Sequence, residues 1–283
     1  MSPVRLTIAG LTLELRPRGG TTFPVPDAWR GFLTDETGTP GARPWVVEVE
    51  TRPEPVPIEG LHITPVASNR GEFIHVTQGP VFDLTLALAR RRADIAFSPC
   101  PQDDEPGRGP VALRGAVAAL CALALPHQGG FLLHGAGIRD RSGEQAVAAF
   151  GPSGAGKSTL CQDFPDSRIL NDELLAVVLD ANSATVHSTP FSGTLDVPRQ
   201  NAGLTLAALV SLGQGPHCAV EVLSPSEGFA ALLSCAAVPT GAHETERRVF
   251  ELVHRLVERA PPRRLLLSLD PGARAETLAG LWG

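Results

Sequence analysis

Lysine is almost missing from this chain. Of 283 residues, 24 are Lys or Arg, and Lys157 is the sole lysine among them. Any motif that needs a second lysine is thereby excluded. Cysteine pairs at metal or redox spacing are missing as well. Cys100, Cys121, Cys161, Cys218 and Cys235 are odd in number, widely spaced and form no C-x-x-C pair. That pattern disfavours a disulfide frame or a zinc site and fits reduced thiols in a cytosol. No excess of positive charge exists: the formal net charge is −6. A general nucleic-acid or membrane-surface binder, which favours a basic face, is disfavoured, whereas a local cationic site is untouched by this count. The opening stretch "MSPVRLTIAGLTLELRPRGG" lacks a secretory pattern, because Glu14 and Arg16 interrupt its apolar residues. The longest apolar run, in "GAVAALCALALP", falls short of the roughly 20 residues that span a bilayer. There is no internal repeat and no low-complexity tract. A cytoplasmic protein is the expectation.

What is present divides into two halves. At roughly 100–200 residues per domain the length suggests two domains, and a hydrophobic fraction of 43% supplies a core to each. Residues 1 to about 105 read as β-rich: "VRLTIAG", "LTLELRP", "WVVEVET", "LHITPVA", "EFIHVTQ" and "VFDLTLALA" are separated by Pro and Gly. The Pro/Asp/Gly stretch "SPCPQDDEPGRGP" (98–110) is the linker candidate, which puts the domains at 1–105 and 106–283. Beyond it, "VALRGAVAALCALAL" predicts a buried helix. "GGFLLHGAGIRD" and "EQAVAAF" predict strands, as do the two halves of "SRILNDELLAVVLD", which break at Asn171–Glu173. "ATVHSTPFSG" predicts a further strand and loop. "SPSEGFAALLSCA" and "HETERRVFELVHRLVERA" read as helices, with Ser224 and Glu227 at capping-box spacing. "RRLLLSL" reads as a strand and "GARAETLAGL" as a final helix.

"GPSGAGKS" (151–158) satisfies G-x-x-x-x-G-K-[ST] in full, between the strand Gln145–Phe150 and a helix from Lys157. The loop residues Gly151, Ser153, Gly154, Ala155, Gly156, Lys157, Ser158 and Thr159 form a candidate phosphate cradle. Glycines let backbone N–H groups turn inward around phosphate oxygens, and the helix start adds partial positive charge. Lys157 is expected to reach the β- and γ-phosphates, and Ser158 to bind Mg²⁺. This explains the lone lysine. An ammonium is a compact point charge and a guanidinium a broad planar fork, and only the former fits inside a tight backbone loop. The absence of a second lysine also excludes the N-K-x-D base-reading motif of guanine-specific GTPases. It disfavours phosphoenolpyruvate carboxykinases, which use another lysine as a metal ligand.

The acids come early. About a dozen residues separate Lys157 from Asp172, so a short helix and a quick return bring Asp172 and Glu173 back towards the loop. Two adjacent acids can divide the labour: one deprotonates an attacking hydroxyl while the other helps hold Mg²⁺.

With His134-Gly135 in "LLHGAGI", the loop at 151–158 and Asp172-Glu173 in "ILNDELL", the chain resembles the catalytic domain of bacterial HPr kinase/phosphorylase. The likeness covers about 115–200 well and the C-terminal helices loosely. It resembles more narrowly the small HPr-kinase-related proteins of peptide natural-product pathways, including lasso-peptide precursor kinases. The resemblance implies an α/β P-loop kinase domain behind a β-rich accessory domain, and ATP- and Mg²⁺-dependent phosphorylation of a serine hydroxyl on a peptide or protein. It implies Asp172 as base, His134 paired with it, and Ser158, Asp172 and Glu173 around the metal. The chain departs from the family in having Glu173 in place of a second Asp. It also lacks the later Glu-x-Arg-Gly signature, for which "TLDVPRQN" offers only Asp196 and Arg199. An ATP-driven regulatory switch and a small-molecule hydroxyl kinase stand as alternatives, and assembly into a homo-oligomer is left open. "HSTPFSGT" (187–194) is a candidate wall of the acceptor site or a plain surface loop. Arg199 could neutralise phosphate charge, the helix 243–260 reads as a solvated amphipathic face, and Cys161 as buried.

Overall fold

The computed structural model describes residues 2–34, 43–55, 66–70, 72–100, 103, 109–191, 193, 195 and 200–282. The chain divides into two compact units, Met1–His127 with Pro239–Arg247 and Gln128–Val238 with Arg248–Gly283.

The first unit is a seven-stranded sheet, ordered β1-β2-β3-β7-β6-β5-β4. Its strands are β1 (Val4–Ile8), β2 (Leu11–Pro17), β3 (Trp45–Thr51), β4 (Val66–Arg70), β5 (Phe73–Gln78), β6 (Phe82–Ala87) and β7 (Arg92–Phe97). β1 and β2 are joined by Ala9 and Gly10, both at positive φ (49° and 80°), the two-residue turn whose twist matches that of paired strands. β3 alternates as its sequence does: Trp45, Val47 and Val49 are buried, and the intervening Val46 and Glu48 are half-exposed. The helix α1 (Val111–Ala124) packs on β6 and β7. It therefore belongs with the first unit, although a boundary at 105/106 would open the second domain with it. Asp103 explains the local geometry: its carboxylate accepts from the backbone N–H of Cys100 (2.8 Å) and of Val111 at the start of α1 (2.9 Å). The linker candidate 98–110 lies partly outside the described residues, as does most of "LHITPVA". Val111–Gln128 has the length and mean hydropathy (1.3 over 18 residues) of a membrane span, yet 61% of it is buried within the protein.

The second unit is built on β8 (Gly130–Arg139), β9 (Gln145–Phe150), β10 (Ile169–Asn171), β11 (Leu174–Leu179), β12 (Ala184–His187), β13 (Gly203–Gln214), β14 (Ala219–Val222) and β15 (Arg263–Leu267). The pairings β8–β9, β9–β13, β13–β12, β12–β11 and β11–β8 close on themselves into a five-stranded ring. β10 adds to β8, while β15 and then β14 extend from β13. Its helices are α2 (Lys157–Gln162), α3 (Pro225–Cys235), α4 (His243–Arg259, entering from the first unit) and α5 (Pro271–Ala279). The capping box at α3 is formed, with Ser224 and Glu227 bonded reciprocally.

β9 is buried on both faces, and its alternation sorts its side chains into two cores. Ala146, Ala148 and Phe150 join a core shared with Leu232, Val249 and Leu256 from α3 and α4. Val147 and Ala149 join another with Leu160, Leu265 and Leu278. A continuous apolar run is what such a doubly covered strand requires. Neither β7 nor β13 stands out in the sequence. β13 is 12 residues rich in Leu, Ala and Gly, whose periodicity does not separate a buried strand from a helix.

Candidate functional site

β8 is long enough to serve two partners in succession. Residues Gly130–His134 pair with β11, His134 lying opposite Leu174. From Gly135 onward the strand pairs with β9, Gly135 lying opposite Phe150. This handover, at His134-Gly135, brings together the end of β9, where the glycine loop begins, and the start of β11, which the acids precede. Gly135 is required by close approach: a Cβ there would sit 2.9 Å from the carbonyl oxygen of Ala149. Its N–H donates to the carbonyl of Glu173 at 3.0 Å.

The loop itself is tightly folded. Gly154 (φ 80°) and Gly156 (φ 104°) occupy the left-handed region that favours glycine. A Cβ on Gly156 would also meet Leu267 Cδ1 at 2.8 Å. Lys157 is buried, and its Nζ donates to the carbonyls of Gly151 (2.8 Å) and Pro152 (3.1 Å). Burial holds its pKa below the usual lysine range, while the negative charge of Glu173 pulls the other way. Ala155 is buried, Ser158 is half-buried, and Ser153 and Thr159 are exposed. α2 is only 6 residues long, so the chain returns through β10 to the acids at once.

Asn171 builds the acidic turn. It is fully buried; its Nδ2 donates to the Thr189 carbonyl (2.8 Å), and its Oδ1 accepts from the N–H of Glu173 (2.8 Å) and Leu174 (3.2 Å). The two carboxylates that follow have opposite environments. Asp172 is 1% exposed, and accepts from the N–H of Gly193 (3.2 Å) and of Leu195 (3.0 Å). The Glu173 side chain is 43% exposed and lies 3.3 Å from His134 Nε2. The expected pairing of His134 with Asp172 is thus corrected. The β8–β11 register sets the imidazole beside Glu173, while Asp172 turns inward onto the amides of Gly193 and Leu195. Asp196 and Arg199 lie outside the described residues. So do Ser192 and Thr194 of the candidate acceptor wall 187–194, whose Thr189 serves instead to anchor Asn171.

The residues fit a nucleotide with Mg²⁺. Among the described residues no cluster of three His, Cys, Asp or Glu could hold a metal alone. Mg²⁺ is ordinarily held by one or two carboxylates completed by phosphate oxygens and water. Ser158 and a carboxylate from the Asp172–Glu173 turn are oxygen donors of that kind.

On the flank of the loop away from the acids lies a cleft of about 470 Å³, bordered by Gly156, Thr159, Gln214, Leu267, Leu269 and Arg274. Arg274 is buried and bidentate to Asp163, the residue closing α2, at 2.7 and 2.8 Å, and also donates to the Ser268 carbonyl. No signal in the sequence marks this pair, which lies 111 residues apart. No family model and no curated protein matches the chain.

Proposed function

We propose that this chain is an ATP- and Mg²⁺-dependent kinase that transfers the γ-phosphoryl group to a hydroxyl, a serine of a peptide or protein. The observation that carries the reading is the convergence, at one point of β8, of a complete G-x-x-x-x-G-K-S loop with its buried lysine and a turn bearing two carboxylates. When bound, ATP with Mg²⁺ supplies the transferable phosphoryl group and the charge that offsets its oxygens. Lys157 and the loop N–H groups hold the phosphates and stabilise negative charge on the transferring group. Ser158 and Asp172 would hold the metal, with the backbone amides of Gly193 and Leu195 keeping the Asp172 carboxylate in place. Glu173 is the accessible acid, so it takes the proton of the acceptor hydroxyl, with His134 orienting its carboxylate. This reverses the roles that the resemblance implies for the two acids. The peptide or protein acceptor rests on that resemblance, and so does the assignment to a P-loop kinase fold.

The test is acceptor-dependent turnover. Candidate peptides are incubated with the protein and labelled ATP, and ADP formation and acceptor mass are followed together. Wild type should add one phosphoryl group per acceptor. Glu173→Gln should lower transfer by about 10²–10⁴-fold, the usual share of a general base, and leave nucleotide binding intact. ADP formed at an acceptor-independent rate would instead favour a nucleotide-driven switch, and an unmoved rate in Glu173→Gln would remove Glu173 as base.

A further inference from the structure

β9, β13 and β15 run parallel, so their carboxyl ends emerge at one edge of the sheet. β9 delivers the glycine loop there, β13 delivers Gln214 and β15 delivers Leu267–Leu269. The loop thus has different chemistry on its two flanks: on the β8 side, His134 and the acids; on the β13–β15 side, the cleft, which shares Gly156 and Thr159 with the loop itself. We propose that the cleft receives the nucleoside part of the nucleotide whose phosphates the loop holds, an inference that rests on reading the loop as a phosphate site.

Three features of the lining select an uncharged, partly flat group over another phosphate. Among the described residues that line it, the only charged one is Arg274, and its guanidinium is spent on Asp163 and the Ser268 carbonyl. The remaining lining combines apolar surface (Ala155, Leu267, Leu269) with the amide of Gln214 and the hydroxyls of Thr159 and Ser268, the mixture usual for small-molecule pockets, as is the volume. Leu269 is 97% exposed. A leucine left wholly in water at the lip of a cleft gains by covering a ring. The polarity of the ligand follows: nucleoside over β13 and β15, terminal phosphate towards β8, where His134 meets Glu173.

The experiment compares two probes on the whole chain, each with Mg²⁺, by calorimetry: a non-hydrolysable ATP analogue and inorganic tripolyphosphate. Wild type should bind the analogue at least about tenfold more tightly than tripolyphosphate. Leu269→Ser, a change at a solvent-exposed position, should weaken the analogue by about tenfold and leave tripolyphosphate unchanged. Gln214→Ala should act in the same direction. Equal affinity of wild type for the two probes, or full analogue affinity in both variants, overturns the proposal while the phosphate loop stands. Failure of wild type to bind either probe overturns both readings.

Discussion

At the scale of single residues, Lys157 is decided by shape as well as charge. Its ammonium sits between the carbonyls of Gly151 and Pro152 in a buried pocket. A guanidinium is wider and planar, and cannot make these two contacts from the same place. Lys157→Arg keeps the charge and should still lower affinity for an ATP analogue by about tenfold or more, since each 1.4 kcal/mol is a factor of ten and overpacking costs about 1–3 kcal/mol; calorimetry reads this directly. An arginine variant that binds as wild type would show that only the charge matters. This much could be read in the sequence, because one lysine in an arginine-rich chain stood inside a phosphate-loop motif. The partner of His134 could not. Asp172 and Glu173 are adjacent in sequence, and which one meets the imidazole depends on the Asn171 turn and on the β8–β11 register, neither of which leaves a local signature.

At the scale of elements, the β12–β13 pairing shows how one residue's titration becomes a property of a ladder. His187 lies opposite Gly203, and its ring occupies the space beside that glycine: a Cβ there would fall 2.4 Å from its Cε1. Burial lowers the His187 pKa from the ordinary 6.5. Below pH 6.5 the unfolded chain takes up a proton that the folded ladder resists, so protons favour unfolding. The contribution of this residue to stability is therefore full above about pH 6.5 and falls as pH drops from there towards the lower folded value. Urea titrations of wild type and His187→Asn between neutral and mildly acidic pH should show a shallower loss in the variant; parallel curves would assign the acid sensitivity elsewhere. The strand itself was readable from "ATVH", but its partner β13 was not. Long apolar Leu/Ala/Gly segments fit either period, and tertiary pairing on both sides decides between them. α1 was readable as a buried helix for the complementary reason: its length exceeds that of a strand. The sheet it covers is set by contacts with β6 and β7 that no local pattern encodes.

At the scale of the whole molecule, the proposed site draws every residue from the second unit. The loop, the acid turn, His134, Gln214, Leu267–Leu269 and Arg274 all fall within Gln128–Val238 and Arg248–Gly283. A ligand bound there stabilises only what it touches and what unfolds together with it, because binding favours the folded form by mass action, about 2.7 kcal/mol at a hundredfold excess over Kd. Local opening free energies differ across a structure, so such stabilisation is readable segment by segment. Hydrogen exchange with and without an ATP analogue and Mg²⁺ should therefore slow across 151–163, 171–173 and 193–195. It should also slow at 213–215 and 266–274, where Arg274 couples α5 to the end of α2 through Asp163. β1–β7 should exchange at their unliganded rates. Protection confined to the loop would separate α5 and the cleft from the ligand. Protection spread through β1–β7 would mean that the first unit unfolds as one with the second, so that a β-rich half without a chemical motif of its own is energetically part of the site.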